Sequence, residues 1–229
     1  MILVNLFLLF ISCSFIGWIL ECILLFYEEK RFINRGFLIG PMCPLYGSVA
    51  VLIIVIFNES SKSLGIIISF ILITLLCAVV EYSTSYILEK IFNTRWWDYS
   101  KEKYNINGRI NLVTLACFGI MGLILIYIFY PLFNKAFKLI PNSLLIALTI
   151  ILGIIFIIDS IISFVVAFEF KEKTMKIAKN LKNIDSTEAL FKLKEKILKD
   201  KPSFRRLINA FPTIKFDILN KIKKRIPRK

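Results

Sequence analysis

Residues 143–168 read SLLIALTIILGIIFIIDSIISFVVAF, 26 positions with one charge, Asp159, and no proline. A helix needs roughly 20 apolar residues to cross about 30 Å of hydrocarbon. This stretch is therefore long enough to span a bilayer and too apolar for the surface of a soluble domain. Four further stretches share its character, at about 2–27, 39–57, 64–88 and 110–131, and the chain as a whole is 57% hydrophobic. Lipid offers the backbone no hydrogen-bond partner, so helices are the expected spanning form. The short alternating strands of an outer-membrane barrel are absent from the pattern. The expectation is an all-α, polytopic transmembrane bundle of about five helices over residues 1–170, followed by a basic helical cytoplasmic tail over 171–229. The first stretch has no Lys or Arg ahead of its apolar run and continues to Tyr27. It reads as a retained helix rather than a cleaved signal peptide.

Charge sets the expected orientation. Basic residues crowd the first loop (Lys30, Arg31, Arg35) and the third (Lys90, Arg95, Lys101, Lys103, Arg109). The second has only Lys62 and the fourth only Lys135 and Lys138. Residues 171–229 carry 19 Lys and Arg against six acids, nearly all of the chain's net charge of +14. Loops one and three thus fall on the same side as the tail, and the positive-inside rule assigns that side to the cytoplasm, with the N-terminus outside and the C-terminus inside. Because the basic excess follows a membrane domain directly, anionic lipid head groups are a simpler partner for the tail than nucleic acid. The chain has no histidine, and its five cysteines (Cys13, Cys22, Cys43, Cys77, Cys117) lack metal-ligand spacing. They read as small apolar residues, with no metal or cofactor expected.

Three carboxylates interrupt the apolar stretches: Glu21, Glu81 and Asp159. Each costs at least ~2.5–3.5 kcal/mol in hydrocarbon on insertion scales, so each must be paired, protonated or open to a polar cavity. In the expected topology all three lie on helices that run the same way, on the order of 10–15 Å from their inner ends at 1.5 Å per residue. A weak parallel repeat overlays ECILLFYEEKRF (21–32) on EYSTSYILEKIF (81–92), and Arg35 on Arg109 after an insertion. Each half would then hold an acid late in one helix and an arginine opening the next, of the kind some transporters repeat. The expected pairs are Glu21–Arg35 and Glu81–Arg109, or the crossed set. They would either hold the bundle together or form a polar solute site. Asp159 has no evident arginine and reads as the proton or cation carrier of the three.

Two loops have unusual chemistry. Residues 34–47, NRGFLIGPMCPLYG, place Gly36, Gly40, Pro41 and Pro44 where a helix should begin. Proline lacks an N–H and clashes with a preceding turn, so 35–40 should enter the membrane irregularly, as a packed helix start or a cavity wall. In the third loop Trp96, Trp97, Asp98 and Tyr99 are either interfacial aromatics or a lid over the cytoplasmic mouth. Within the tail, a charged helix is expected over 171–200 with a break near 183–185, where Asp185 and Glu188 suit a cap. Its apolar stripe is Leu190, Leu193, Ile197 and Leu198. A basic amphipathic stretch over 204–226, interrupted by Pro212, could lie on the membrane or dock a cytosolic partner.

Several motifs resemble a bacterial membrane family of ABC-transporter permeases, type IV. They are Gly17-Trp18-x-x-Glu21; Asn34-Arg35-Gly36-Phe37-Leu38-x-Gly40-Pro41-x-x-Pro44-Leu45-Tyr46-Gly47; Glu81-Tyr82; Trp97-Asp98-Tyr99-Ser100; Asn107-Gly108-Arg109-Ile110-x-Leu112; and, in the tail, Arg205-Arg206-Leu207-x-x-Ala210-Phe211-Pro212. The resemblance implies a permease-like membrane subunit. The chain has no G-x-x-x-x-G-K-[ST] loop to bind ATP, so a separate ATPase subunit would have to dock on loops one and three or on the tail. A small bundle also leaves homo-oligomerisation open. The alternatives are a structural or regulatory membrane protein that recruits a partner or anionic lipid through its tail, and, with less support in the absence of histidine, an enzyme acting on lipid-linked substrate. No enzymatic role is expected.

Overall fold

The computed structural model describes residues 1–58, 61–181 and 186–216. Helices make up most of the described residues, which form an all-α transmembrane bundle. Four helical segments are long and apolar enough to cross a membrane: α1 (Ile2–Glu29), α3 (Ser61–Phe92, interrupted at Gly65), the composite Leu112–Phe137, and α6 (Asn142–Asn180). The composite consists of α4 (Leu112–Ile124), a π-helical turn (Leu125–Phe129) and α5 (Tyr130–Phe137). The π turn precedes Pro131, and Tyr130 N–H bonds Leu125 O, five residues back. Proline cannot supply the usual i→i−4 bond, and a π register absorbs the defect without breaking the span. Asn111 caps α4, its side chain accepting from Val113 N–H at 2.8 Å.

The second span differs from expectation. A helix was expected over 39–57, but α2 runs Pro44–Phe57. Its 14 residues reach only about 21 Å at 1.5 Å each, short of the hydrocarbon thickness. Pro44 occupies its first turn, where the missing N–H costs nothing. The irregular entry therefore extends through residue 43 instead of ending at 40.

Helices α1 and α2 form one hairpin and α3 and α4 another, with α2 against α3 and α6 alongside α1. Gly17 and Gly47 allow the first hairpin its close approach. A Cβ on Gly47 would meet the Phe10 carbonyl oxygen, and one on Gly17 the Tyr46 ring. Leu9, Ile53, Ile73 and Leu115 fill the bundle core.

A second core lies at the basic end. Helix α6 passes residue 170 without a break. Its last three turns, α7 (Ser186–Leu198) and α8 (Pro202–Ala210) fold back on the loop after α3. Phe170, Leu193, Ile197, Phe204 and Leu207 pack around Trp96 and Phe92. Strand β1 (Thr94–Arg95) pairs with β4 (Lys215–Phe216), and β2 (Asn105–Ile106) with β3 (Ile110–Asn111). Loop one, loop three and the tail therefore lie together, as the charge pattern required. Leu193 and Ile197 of the expected stripe are fully buried, while Leu198 is exposed. The apolar face of α8 (Phe204, Leu207, Ile208) is turned to this core and away from lipid. The break near 183–185, the Asp185–Glu188 cap and the remainder of the basic stretch, 217–229, lie outside the described residues.

Candidate intramembrane polar site

The irregular segment 34–43 is held by side chains from three helices. Trp18 Nε1 of α1 donates to Asn34 Oδ1 at 2.7 Å, and Asn34 Nδ2 donates to the Ile39 carbonyl at 2.7 Å. Asp159 of α6 accepts the N–H groups of Ile39 at 3.1 Å and Gly40 at 3.0 Å, and the Ser163 hydroxyl at 3.2 Å. Arg206 of α8 donates to the carbonyls of Gly36 (2.9 Å), Phe37 (3.0 Å) and Leu38 (3.0 Å). An anion thus binds the segment's amides and a cation its carbonyls. This fixed pair of charges replaces the ladder that a helix would supply, which is how non-helical backbone is tolerated at membrane depth. Burial lowers the Arg206 pKa while Asp159 opposes the shift, and a guanidinium remains charged regardless. Asp159 therefore has a guanidinium in its vicinity after all, supplied by the tail, and its oxygens are engaged with the backbone.

The bundle centre holds a second group. Glu21 Oε2 pairs with Arg35 Nε at 2.6 Å, as expected, and Tyr46 Oη donates to Glu21 Oε1 at 2.7 Å. The Arg35 N–H points to Cys22 Sγ at 3.4 Å. Glu81 is 4% exposed. Its Oε1 accepts only a long hydrogen bond from Tyr99 Oη, 3.4 Å, and its Oε2 has no donor among the described residues. Burial, then the charges of Glu81 and Glu21, raise the Tyr99 pKa above its ordinary value, so this hydroxyl remains a donor. Glu81 also borders a cavity of about 370 Å³ between the two hairpins, lined by apolar residues that include Leu20, Val49, Phe118 and Leu125.

The expected Glu81–Arg109 pair does not form, and neither does the crossed set. Arg109 Nη2 instead binds Glu89 at 2.8 Å, with Nη1 on Ser85 Oγ at 3.2 Å and the guanidinium over the Tyr82 and Tyr86 rings. Glu89 lies two turns nearer the end of α3, and a charge pair costs less to bury there than at mid-depth. Glu89 also takes Arg95 Nε at 2.9 Å, and Arg95 reaches Asp98 at 3.2 Å. The overlay of Arg35 on Arg109 therefore does not extend to their partners.

The four lid residues are built into walls. Trp96, 2% exposed, lies at the centre of the tail core. Trp97 Nε1 donates to the Arg109 carbonyl at 3.0 Å. Asp98 binds Arg95, Ser100 and Lys215, and Tyr99 reaches Glu81. Among the described residues, no group of three or more His, Cys, Asp or Glu is placed to hold a metal.

A family model described as "Putative ABC-transporter type IV" matches residues 8–164. The chain belongs to that family. No curated protein and no solved structure matches it. In this member of the type IV family the matched region covers the bundle, the 34–43 segment, Asp159 and the Glu21–Glu81 group, and it ends before Arg206. Sequence reasoning missed Tyr46, Glu89, Arg95 and Arg206 as site residues. Tyr46 and Arg206 were already visible within the quoted motifs, but nothing in their spacing disclosed their partners.

Proposed function

We propose that this type IV family member is a permease-like membrane subunit that carries a solute and does not transform it, with its site at Glu21, Arg35, Tyr46, Glu81 and Tyr99. The observation that carries the reading is Glu81, an almost unpartnered carboxylate beside a cavity in a membrane bundle. A charge retained at that depth without a structural partner is best explained by a pathway. Family membership supports the transporter class. The basic loops support a cytoplasmic C-terminus and an external N-terminus, and the absence of an ATP-binding loop calls for a separate ATPase subunit docking on the cytoplasmic face.

The test separates structural from functional charge. Glu81→Gln removes a burial cost without breaking an ion pair, so the variant should insert normally, unfold at an equal or higher temperature and lose uptake or export. Arg35→Gln should both destabilise the protein and abolish transport, because it strands Glu21. Normal transport by stable Glu81→Gln would overturn the permease reading. A reporter at Lys62 found on the cytoplasmic side would overturn the orientation.

A second reading gives the tail a regulatory role, favoured by the Arg206 grip on the 34–43 segment. A partner or anionic lipid that drew α8 away would release that segment.

A further inference from the structure

We infer that the cavity beside Glu81 is a binding site for a monovalent lipophilic amine or ammonium, with the cationic head paired to the Glu81 carboxylate, whose Oε2 is closed off until the side chain turns toward the cavity, and the apolar body between the two hairpins. This rests on the permease reading only in taking the cavity as the solute's place, since binding is read without transport.

Charge balance is the first argument. Counted as ionised, Glu21, Arg35 and Glu81 sum to one negative charge, because Arg35 is engaged by Glu21 at 2.6 Å. The ionisable groups acting on Glu81 are Glu21, Tyr99 and the Cys77 thiol, and no Lys or Arg forms an ion pair with it among the described residues. Arg109, the expected partner, is bound to Glu89 and Ser85 instead. With Glu81 ionised, the group carries one negative charge that no side chain among the described residues offsets.

Shape is the second. A proton would neutralise Glu81 without any space beside it, yet Glu81 is one of the residues lining an apolar cavity of about 370 Å³, the lower range for pockets that enclose a small organic molecule. A neutral apolar guest would use that volume but gives no reason for a buried carboxylate, which is expensive in a bilayer. A cationic head with an apolar body satisfies both. The Tyr46, Phe118 and Phe129 rings in the wall add faces that favour an ammonium. Entry is lateral: Ile16 and Leu20 of α1 and Ile124 of α4 line the cavity and are each more than a third exposed, so the rim opens where lipid chains lie and where such amines partition.

The test uses the full chain in nanodiscs and two probes of matched shape, 4-phenylbutylammonium and neutral 4-phenylbutanol, titrated calorimetrically. The amine should bind at least about tenfold more tightly than the alcohol, as expected for a charge-assisted contact. Glu81→Gln should abolish the difference while leaving alcohol binding unchanged. Leu20→Trp, which narrows the rim without touching Glu81, should weaken both probes and serves as the measurement should Glu81→Gln fail to fold. Equal affinity of the two probes, a preference that survives Glu81→Gln, or binding indifferent to Leu20→Trp would each overturn the inference. A probe preference that depends on Glu81 in a protein without transport would uphold the site and sink the permease reading alone.

Discussion

Replacing Arg206 with alanine should unlock the 34–43 segment while leaving the bundle folded. One guanidinium donates to three consecutive carbonyls at 2.9, 3.0 and 3.0 Å. A hydrogen bond with one charged partner contributes about 1.5–3 kcal/mol. Three from one half-buried side chain are not additive, and water would reach part of the freed backbone, so the loss is about 3–5 kcal/mol. At 1.4 kcal/mol per decade this raises the open population of the segment by roughly two to three and a half orders of magnitude. Cys43 reports the opening, because its N–H bonds the Ser14 carbonyl at 2.9 Å and its thiol faces the Arg35 carbonyl at 3.4 Å. A protein retaining Cys43 alone, with Cys22→Ser to preserve an acceptor for Arg35 N–H, would be labelled with a maleimide under conditions where the rate follows the open fraction. A companion retaining only Cys77, buried in the bundle, reports global unfolding. Arg206→Ala should accelerate Cys43 by a hundredfold or more with Cys77 nearly unchanged. Arg206→Lys should fall between, because an ammonium cannot span three carbonyls. A Cys43 rate within twofold of the parent, or equal acceleration at both cysteines, would refute the clamp.

Other consequences follow from the same contacts. Asp159→Asn keeps one acceptor for the Ile39 and Gly40 amides and should cost about 1–3 kcal/mol, read as a fall in unfolding temperature, whereas a simple proton carrier would show no such loss. Gly47→Ala drives a methyl against the Phe10 backbone oxygen and Ser14 Oγ; backbone cannot yield cheaply, so the α1–α2 hairpin should lose about 1–3 kcal/mol in the same assay. At Asp98, burial raises the pKa, but Ser100, Lys215 and Arg95 outweigh it and the net shift is downward. A folded value below the unfolded one means stabilisation present above the unfolded pKa and lost as pH falls through the folded one. Protease cleavage in loop 93–111 should therefore accelerate below about pH 4, and Asp98→Asn should flatten that pH dependence.

Four of the five expected spans, and the clustering of loops one and three with the tail, were legible because apolar length and loop charge are local properties of the chain. An irregular entry over 35–40 was legible from Gly36, Gly40, Pro41 and Pro44, which withhold helix at positions where lipid demands hydrogen bonds, but its extension to residue 43 was not. What satisfies that demand was not. Asp159 is 119 positions from Gly40 and Arg206 is 170 from Gly36, and no spacing rule links residues so far apart. The repeat misled on Arg109, because both Glu81 and Glu89 lie on the helix it faces and only depth distinguishes them. Depth is set by how helices pack and end, and the alignment of two similar segments carries no information about that. The tail was read from its amphipathic pattern as an element that either lies on the membrane or docks a cytosolic partner. Such a pattern states that an apolar face will be covered without stating by what, and here Trp96, Phe92 and Phe170 cover it.

The three intramembrane acids resolve into three different answers to one cost. Asp159 is balanced by backbone dipoles with Arg206 nearby, and Glu21 by Arg35 and Tyr46. Both could be retained for architecture alone, since removing either strands a partner. Glu81 strands nothing: its one hydrogen bond is long and its second oxygen has no donor. Selection for stability would replace it with glutamine, which still accepts from Tyr99, at no structural loss. Its presence beside an apolar cavity is the observation on which the proposed solute site rests, and occupancy of that cavity, read by the amine and alcohol probes, is what the proposal stands or falls on.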